Sequence, residues 1–176
     1  GANIESWAKL FNAMGVSTFA LDGFTGLTTG TCGLFNQFDN LNATLGPITQ
    51  FVSIAQSTTD PNLLWGGTQG NGAPATAFLQ SGQWVNVNAG DVGSTAVSPT
   101  DDNEWFLSLP PNTISRVNVF RCWNGINCHA QDFQNDAIVS STSVGGDAGP
   151  FYLHFVLDPA HPSTMLLGTC RVWRGS

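Results

Sequence analysis

Leu157-Asp158-Pro159-Ala160-His161-Pro162-Ser163-Thr164-Met165-Leu166-Leu167-Gly168 reads as the end of an apolar run, a polar turn with two prolines, and a second apolar run that stops on glycine. The same order recurs upstream. Val97-Ser98-Pro99-Thr100-Asp101-Asp102-Asn103-Glu104-Trp105-Phe106-Leu107 is one copy, and Ile54-Ala55-Gln56-Ser57-Thr58-Thr59-Asp60-Pro61-Asn62-Leu63-Leu64-Trp65-Gly66-Gly67-Thr68 is another. Aligned on their turns, Asn62, Asn103 and Ser163 are separated by 41 and then 60 residues. Self-similarity with periods of roughly 20–50 residues marks stacked supersecondary units. A fainter copy runs from Phe19-Ala20-Leu21-Asp22-Gly23 into Leu27-Thr28-Thr29-Gly30, and Gly30-Thr31-Cys32-Gly33-Leu34-Phe35 is echoed by Gly168-Thr169-Cys170-Arg171-Val172-Trp173.

Each copy is a β-hairpin in physical terms. Asp, Asn and Pro accept the tight backbone geometry of the turn, and proline, which cannot donate to a ladder, stays out of the strands. Leu, Val, Trp and Phe fill the flanking runs, where apolar and aromatic side chains suit a pleated surface. Charged residues make up only 10% of the 176, beside 20 glycines and 9 prolines. Many short strands between Gly/Pro/Asn/Asp clusters predict an all-β, antiparallel chain. A single helix is expected, over 4–11, where Trp7, Leu10 and Phe11 are spaced i, i+3, i+4; an N-terminal strand fits that stretch equally well. No linker divides the chain, so residues 1–176 are expected to form one domain.

The net charge is −7, and Lys9 is the sole lysine. Such a surface repels phosphate backbones and anionic bilayers, which argues against nucleic acid and membrane partners. A glycan or a protein is the expected partner. No run reaches the roughly 20 apolar residues that span a bilayer. The start at Gly1-Ala2-Asn3 lacks the basic and apolar regions of a signal peptide, as a mature or excised product would.

Four cysteines fall into two pairs. Cys122 and Cys128 bracket Trp123-Asn124-Gly125-Ile126-Asn127, and a disulfide across a hairpin there is preferred over free thiols. A metal site with His129 ranks third, because five intervening residues do not fit the usual zinc spacing. Cys32 and Cys170 occupy matching positions, as two buried thiols acting as small hydrophobes or as a disulfide joining the first and last units. Disulfides imply a secreted, extracellular chain, with which the sequon Asn42-Ala43-Thr44 is compatible.

Gly66-Gly67-Thr68-Gln69-Gly70-Asn71-Gly72, the Gly-Asp-x-Gly turns and Leu157-Asp158-Pro159 followed by Leu167-Gly168-Thr169-Cys170-Arg171-Val172-Trp173-Arg174 resemble blade motifs of sialidase-like and sortilin-like β-propellers, a broad group that includes xyloglucanase-type glycosidases. The resemblance covers residues 19–176 and implies propeller-like blades. It departs from the group in lacking the Ser-x-Asp-x-Gly-x-x-Trp box; Phe120-Arg121-Cys122-Trp123-Asn124-Gly125 stands in its place. Closed rings usually carry about 4–8 four-stranded blades, and this chain holds about three or four at the observed spacing. A partial ring is therefore expected, either as part of a longer propeller or completed by association of copies.

Catalysis has one candidate pair. Asp91 and Asp147 sit in matching Gly-Asp-x-Gly turns, and two carboxylates about 5–10 Å apart are what a glycosidase requires. The structural reading, aspartates capping glycine turns, is favoured over it. No phosphate loop, nucleophile elbow or HExxH spacing occurs, so no cofactor or metal is expected. Binding is the preferred function. Trp84 and Trp123 lie near turns, and Asn124 adjoins the second of them; an aromatic face beside an amide suits the apolar face and hydroxyl rim of a sugar. Trp65, Trp105 and Trp173 are expected to pack between blades.

Overall fold

The computed structural model describes residues 50–78, 83–113 and 115–176, all within the unit Leu41–Ser176. The expected helix over 4–11, the faint first copy, the sequon and Cys32 lie outside the described residues.

The described chain is all-β and built of antiparallel meanders. The first sheet comprises β1 (Phe51–Gln56), β2 (Leu64–Thr68), β3 (Pro74–Thr76) and β4 (Val85–Asn86), in that order. The second comprises β5 (Thr95–Val97), β6 (Trp105–Ser108), β7 (Val119–Cys122) and β8 (Ala137–Val139). The third holds β9 (His154–Leu157), β10 (Met165–Gly168) and β11 (Val172–Gly175). These are blade-like sheets, and the described residues do not close them into a ring.

The turn register read from sequence is visible in hydrogen bonds. Ser57 N–H donates to the Leu63 carbonyl (3.0 Å), Ser98 to Glu104 (2.8 Å) and Asp158 to Thr164 (2.9 Å), so the three hairpins close identically and Asn62, Asn103 and Ser163 are equivalent. Ser57, Ser98 and Asp158 are likewise equivalent. The side chain of each accepts from the backbone two residues on: Thr59 N–H at 3.0 Å, Thr100 N–H at 3.4 Å and Ala160 N–H at 2.9 Å. Side-chain caps of this kind fix a turn locally.

Strand alternation places the sheets against one another. From β6, Trp105 and Leu107 join Trp65, Ala75 and Phe133 in the core between the first and second sheets. Phe106 points the other way, into a core with Phe155, Met165 and Leu167 of the third sheet. Serine side chains also tie neighbouring sheets together. Ser53 Oγ donates to the Gly93 carbonyl at 2.8 Å, and Ser108 Oγ to the Leu153 carbonyl at 2.8 Å. Gly67 permits the close approach beneath them, since a Cβ there would lie 2.1 Å from the Gly93 carbonyl oxygen.

One α-helix was not expected. Helix α1 (Ala130–Asn135) is capped by His129, whose backbone N–H donates to Asp132 Oδ2 at 2.9 Å, and it buries Phe133. Six residues are too short for a periodic signal, and burial of one aromatic ring holds the turn in place. Among the described residues no helix is long and apolar enough to cross a membrane.

Candidate functional site: the disulfide-closed loop and the cleft beside it

β7 ends at Cys122, and the chain passes through a single 3-10 turn, Gly125–Asn127, before Cys128. Cys122 and Cys128 are joined by a disulfide, with Cα atoms 6.2 Å apart. The expected hairpin is replaced by this helical turn, because Gly125 adopts φ +53 and its N–H donates to the Asn103 carbonyl (2.9 Å). Both sulfurs are buried in the core around Phe133. The bridge therefore anchors both ends of the loop, while its tip faces outward.

That tip carries Trp123, 52% exposed, and the exposed Asn124. The Arg121 guanidinium lies 4.6 Å from the centroid of the Trp123 ring. Arg121 is itself fixed, with Nε donating to Asp136 Oδ2 at 2.8 Å and Glu104 Oε1 3.6 Å from its terminal nitrogen. Two carboxylates offset its charge, and an aromatic ring packed on a held guanidinium gains cation–π attraction without becoming a bare cationic site.

Trp84 sits elsewhere, just before β4 of the first sheet, half-buried, with an indole nitrogen enclosed and unpartnered among the described residues. Of the other indoles, Trp65 and Trp105 are fully buried between sheets.

The two Gly-Asp-x-Gly aspartates have unlike surroundings. Asp91 accepts the Gly70 N–H (2.9 Å) and the Tyr152 hydroxyl (3.2 Å). Burial first, and the Asp91 hydrogen bond second, push the Tyr152 phenol above its ordinary value. Asp147 accepts from Thr169 Oγ1 (2.7 Å), Arg171 Nε (3.0 Å) and Trp173 Nε1 (3.1 Å), and pairs with a second Arg171 nitrogen. The Arg171 guanidinium, then Thr169 and Trp173, hold the Asp147 carboxyl far below the usual carboxylate range. Among the described residues no side chain bonds both aspartates. Each is a bracing group for its own neighbourhood, and Asp147 braces Trp173. Cys170, in the same turn, is exposed with a free thiol, contrary to the expected buried hydrophobe.

Between the second and third sheets opens a cleft of about 820 Å³. Phe106, Ile138 and Val144 line it from one side and Met165, Leu167 and Trp173 from the other, with Arg121 and Glu104 at its polar wall. Its opening follows from the turns. Between the first and second sheets, Asp102 accepts from the hydroxyls of Ser57 and Thr59 and locks the two turns together. Pro162 holds the position of Asp102 in the third hairpin, so the Ser98 and Thr100 hydroxyls, which lie 3.3 Å apart as those of Ser57 and Thr59 lie 3.2 Å apart, meet no carboxylate from that position. This cleft was not legible from sequence, since it depends on how two sheets face. Among the described residues no group of three or more His, Cys, Asp or Glu is placed to hold a metal ion.

No protein-family model and no curated protein matches the chain. Among solved structures it is similar to the crystal structure of a GH74 xyloglucanase from Xanthomonas campestris, with 17% sequence identity and a TM-score of 0.45. The match covers 70% of this chain and 19% of that one, so this chain spans about a fifth of that protein's length.

Proposed function

We propose that the chain is a non-catalytic binding module that takes a neutral glycan on the platform formed by Trp123 and Asn124. The observation that supports it is the half-exposed Trp123 ring, held against Arg121 within a loop closed at both ends by the Cys122–Cys128 bridge. A sugar ring stacks its apolar face on such an indole, and the adjoining amide meets its hydroxyls. Prior immobilisation matters because ordering a mobile side chain at an interface costs about 0.5–1.5 kcal/mol. The net charge of −7 favours a neutral ligand over an anionic one. A secreted location accords with the disulfide.

Cleavage of the glycan by an Asp91–Asp147 pair draws no support from the geometry. Asp147 is engaged by donors from three residues, and its carboxyl stays ionised at neutral pH, which leaves it no proton to give as a general acid.

The test is incubation with a panel of neutral plant and bacterial polysaccharides, following tryptophan fluorescence and reducing ends together. A saturable fluorescence change without new reducing ends, abolished in Trp123→Ala and weakened in Asn124→Ala, is the expected result. Reducing-end release that disappears in Asp91→Asn or Asp147→Asn overturns the non-catalytic reading, and silence across the panel overturns glycan binding.

A further inference from the structure

Asn-Gly occurs twice in the chain, as Asn71-Gly72 and Asn124-Gly125. The pair is chemically labile, because glycine has no Cβ to hinder attack of its own backbone nitrogen on the asparagine side chain. At the second site the fold demands the glycine. With φ +53, a Cβ on residue 125 would lie 3.0 Å from Asn103 Oδ1 and 3.2 Å from the Asp102 carbonyl oxygen. The labile pair is therefore built into the disulfide-closed loop, with Asn124 exposed to water.

The reactive peptide is clamped at both ends. Its carbonyl, on Asn124, accepts the Asn127 N–H at 3.0 Å, and its N–H, on Gly125, donates to the Asn103 carbonyl at 2.9 Å. At the Asn124 ψ of 9°, the Gly125 nitrogen nearly eclipses the Asn124 backbone nitrogen and is turned away from Cβ. Closing a five-membered ring through Cγ needs that nitrogen on the side of Cβ, so the peptide plane has to swing and both bonds have to break. The Asn71–Gly72 peptide is held in the same manner, its carbonyl accepting Asn86 Nδ2 at 3.1 Å and its N–H donating to the Gly90 carbonyl at 2.7 Å. The two sites differ in what holds the clamp. The Cys122–Cys128 bridge encloses residue 124 and not residue 71.

We propose that Asn124 is a site of spontaneous deamidation that the folded loop keeps latent and that opening of the loop releases. The Gly125 nitrogen bonds to Asn124 Cγ, the Cγ–Nδ2 bond breaks, and Nδ2 leaves as ammonia with the Gly125 amide proton. Water then opens the succinimide at either carbonyl and leaves an aspartyl or an isoaspartyl residue. No electrons are transferred, and water is the co-reactant. The product replaces a neutral amide by a carboxylate on a chain whose net charge is already −7. The isoaspartyl form also lengthens the backbone by one atom inside a loop whose ends the bridge fixes. A consequent loss of sugar binding rests on the glycan reading; the latent chemistry does not.

Peptide mapping by mass spectrometry at mildly alkaline pH tests it, following residues 124 and 71 in the same full-length chain. The parent, with its bridge intact, is compared folded and in urea. Residue 124 should deamidate at least about tenfold more slowly in the folded chain, since only the open fraction reacts. In the folded double variant Cys122→Ala, Cys128→Ala, the rate at 124 should rise about tenfold while that at 71 stays at the parent's value. Equal rates at 124 in the folded parent and in urea overturn the proposal. So does a folded double variant in which 124 is no faster, or in which 71 accelerates equally. A measurement on the parent alone decides the matter if the variant does not fold: the Gly125 amide should resist hydrogen exchange, and free exchange of that amide overturns the clamp.

Discussion

The indole rings of Trp65 and Trp105 lie 4.6 Å apart at a 31° tilt, with Phe133 stacked on Trp65 at 6.0 Å, and this triad is the seam between the first and second sheets. Trp105 satisfies its N–H by donating to the Asp102 carbonyl at 2.7 Å, whereas Trp65 Nε1 is buried without a partner among the described residues. Truncation and aromatic replacement should therefore diverge. Trp65→Ala loses about 3–5 kcal/mol through the cavity it leaves. Trp65→Phe keeps an aromatic ring and removes an unsatisfied donor that itself costs about 1–3 kcal/mol, so its loss should be much smaller. Urea midpoints of the two variants measure the difference, and equal losses would refute the unsatisfied-donor account.

Asp102 and Pro162 occupy one position in two hairpins, and exchanging their chemistry should move stability in opposite directions. Asp102→Ala strands the hydroxyls of Ser57 and Thr59, with an expected cost of about 1–3 kcal/mol. Pro162→Asp places an acceptor opposite Ser98 and Thr100, whose hydroxyls stand where those of Ser57 and Thr59 stand one sheet earlier. A gain of about 0.5–2 kcal/mol is expected, the usual range for a well-placed surface change. Thermal unfolding of both variants checks this; a destabilising Pro162→Asp would show that the turns are not interchangeable.

Gly67→Ala tests the closeness of the first two sheets. Its Cβ would meet the Gly93 carbonyl oxygen at 2.1 Å and the Val92 carbonyl oxygen at 2.5 Å, both backbone atoms that cannot swing aside. A loss of about 1–3 kcal/mol is expected, as for other overpacked sites. A neutral effect in chemical denaturation would mean that the sheets separate easily.

The hairpin register was readable because it is local. Six residues separate the two ends of each closing bond, and turn-forming residues fill the gap. Even there the matching Asp-Pro pairs mislead: Asp158 is equivalent to Ser57 and Ser98, three positions ahead of Asp60 in its turn. The Cys122–Cys128 bridge was readable from spacing, but not the helical turn inside it, which depends on Gly125 bonding Asn103. Asp91 and Asp147 looked alike because their own turns are alike. Their partners come from 20 or more residues away, and no local pattern reports those. The cleft exists only once sheets are placed side by side.

Removing the disulfide should loosen the proposed platform before it unfolds the chain. Closing a loop across six residues contributes about 2–3 kcal/mol in the chain-entropy picture. In the double variant Cys122→Ala, Cys128→Ala, the urea midpoint should fall accordingly. Amide order parameters for Trp123 to Asn127 should drop from about 0.85 toward 0.6 or lower. If order parameters hold while stability falls, Arg121 and the 3-10 turn alone fix Trp123, and the bridge serves stability only.

Asp147 gives the chain a pH dependence whose direction follows from its partners. Arg171, Thr169 and Trp173 favour the ionised carboxylate, so its value in the folded chain lies below that in the unfolded chain. A depressed carboxyl contributes stability that is complete above the unfolded value near 4 and is lost as pH falls through the folded one. Asp158, lowered by its hydrogen bonds to His161 and to the backbone of Ala160, adds to the same slope. Asp147→Asn should therefore be the less stable protein at pH 7, and its stability should decline less steeply than that of the parent below about pH 4. The two curves should converge in acid, because protonation of Asp147 already weakens in the parent what the variant lacks. Urea unfolding from neutral pH down to about pH 2 measures both slopes. Parallel curves would mean that Asp147 titrates normally and that Trp173 is held by packing alone.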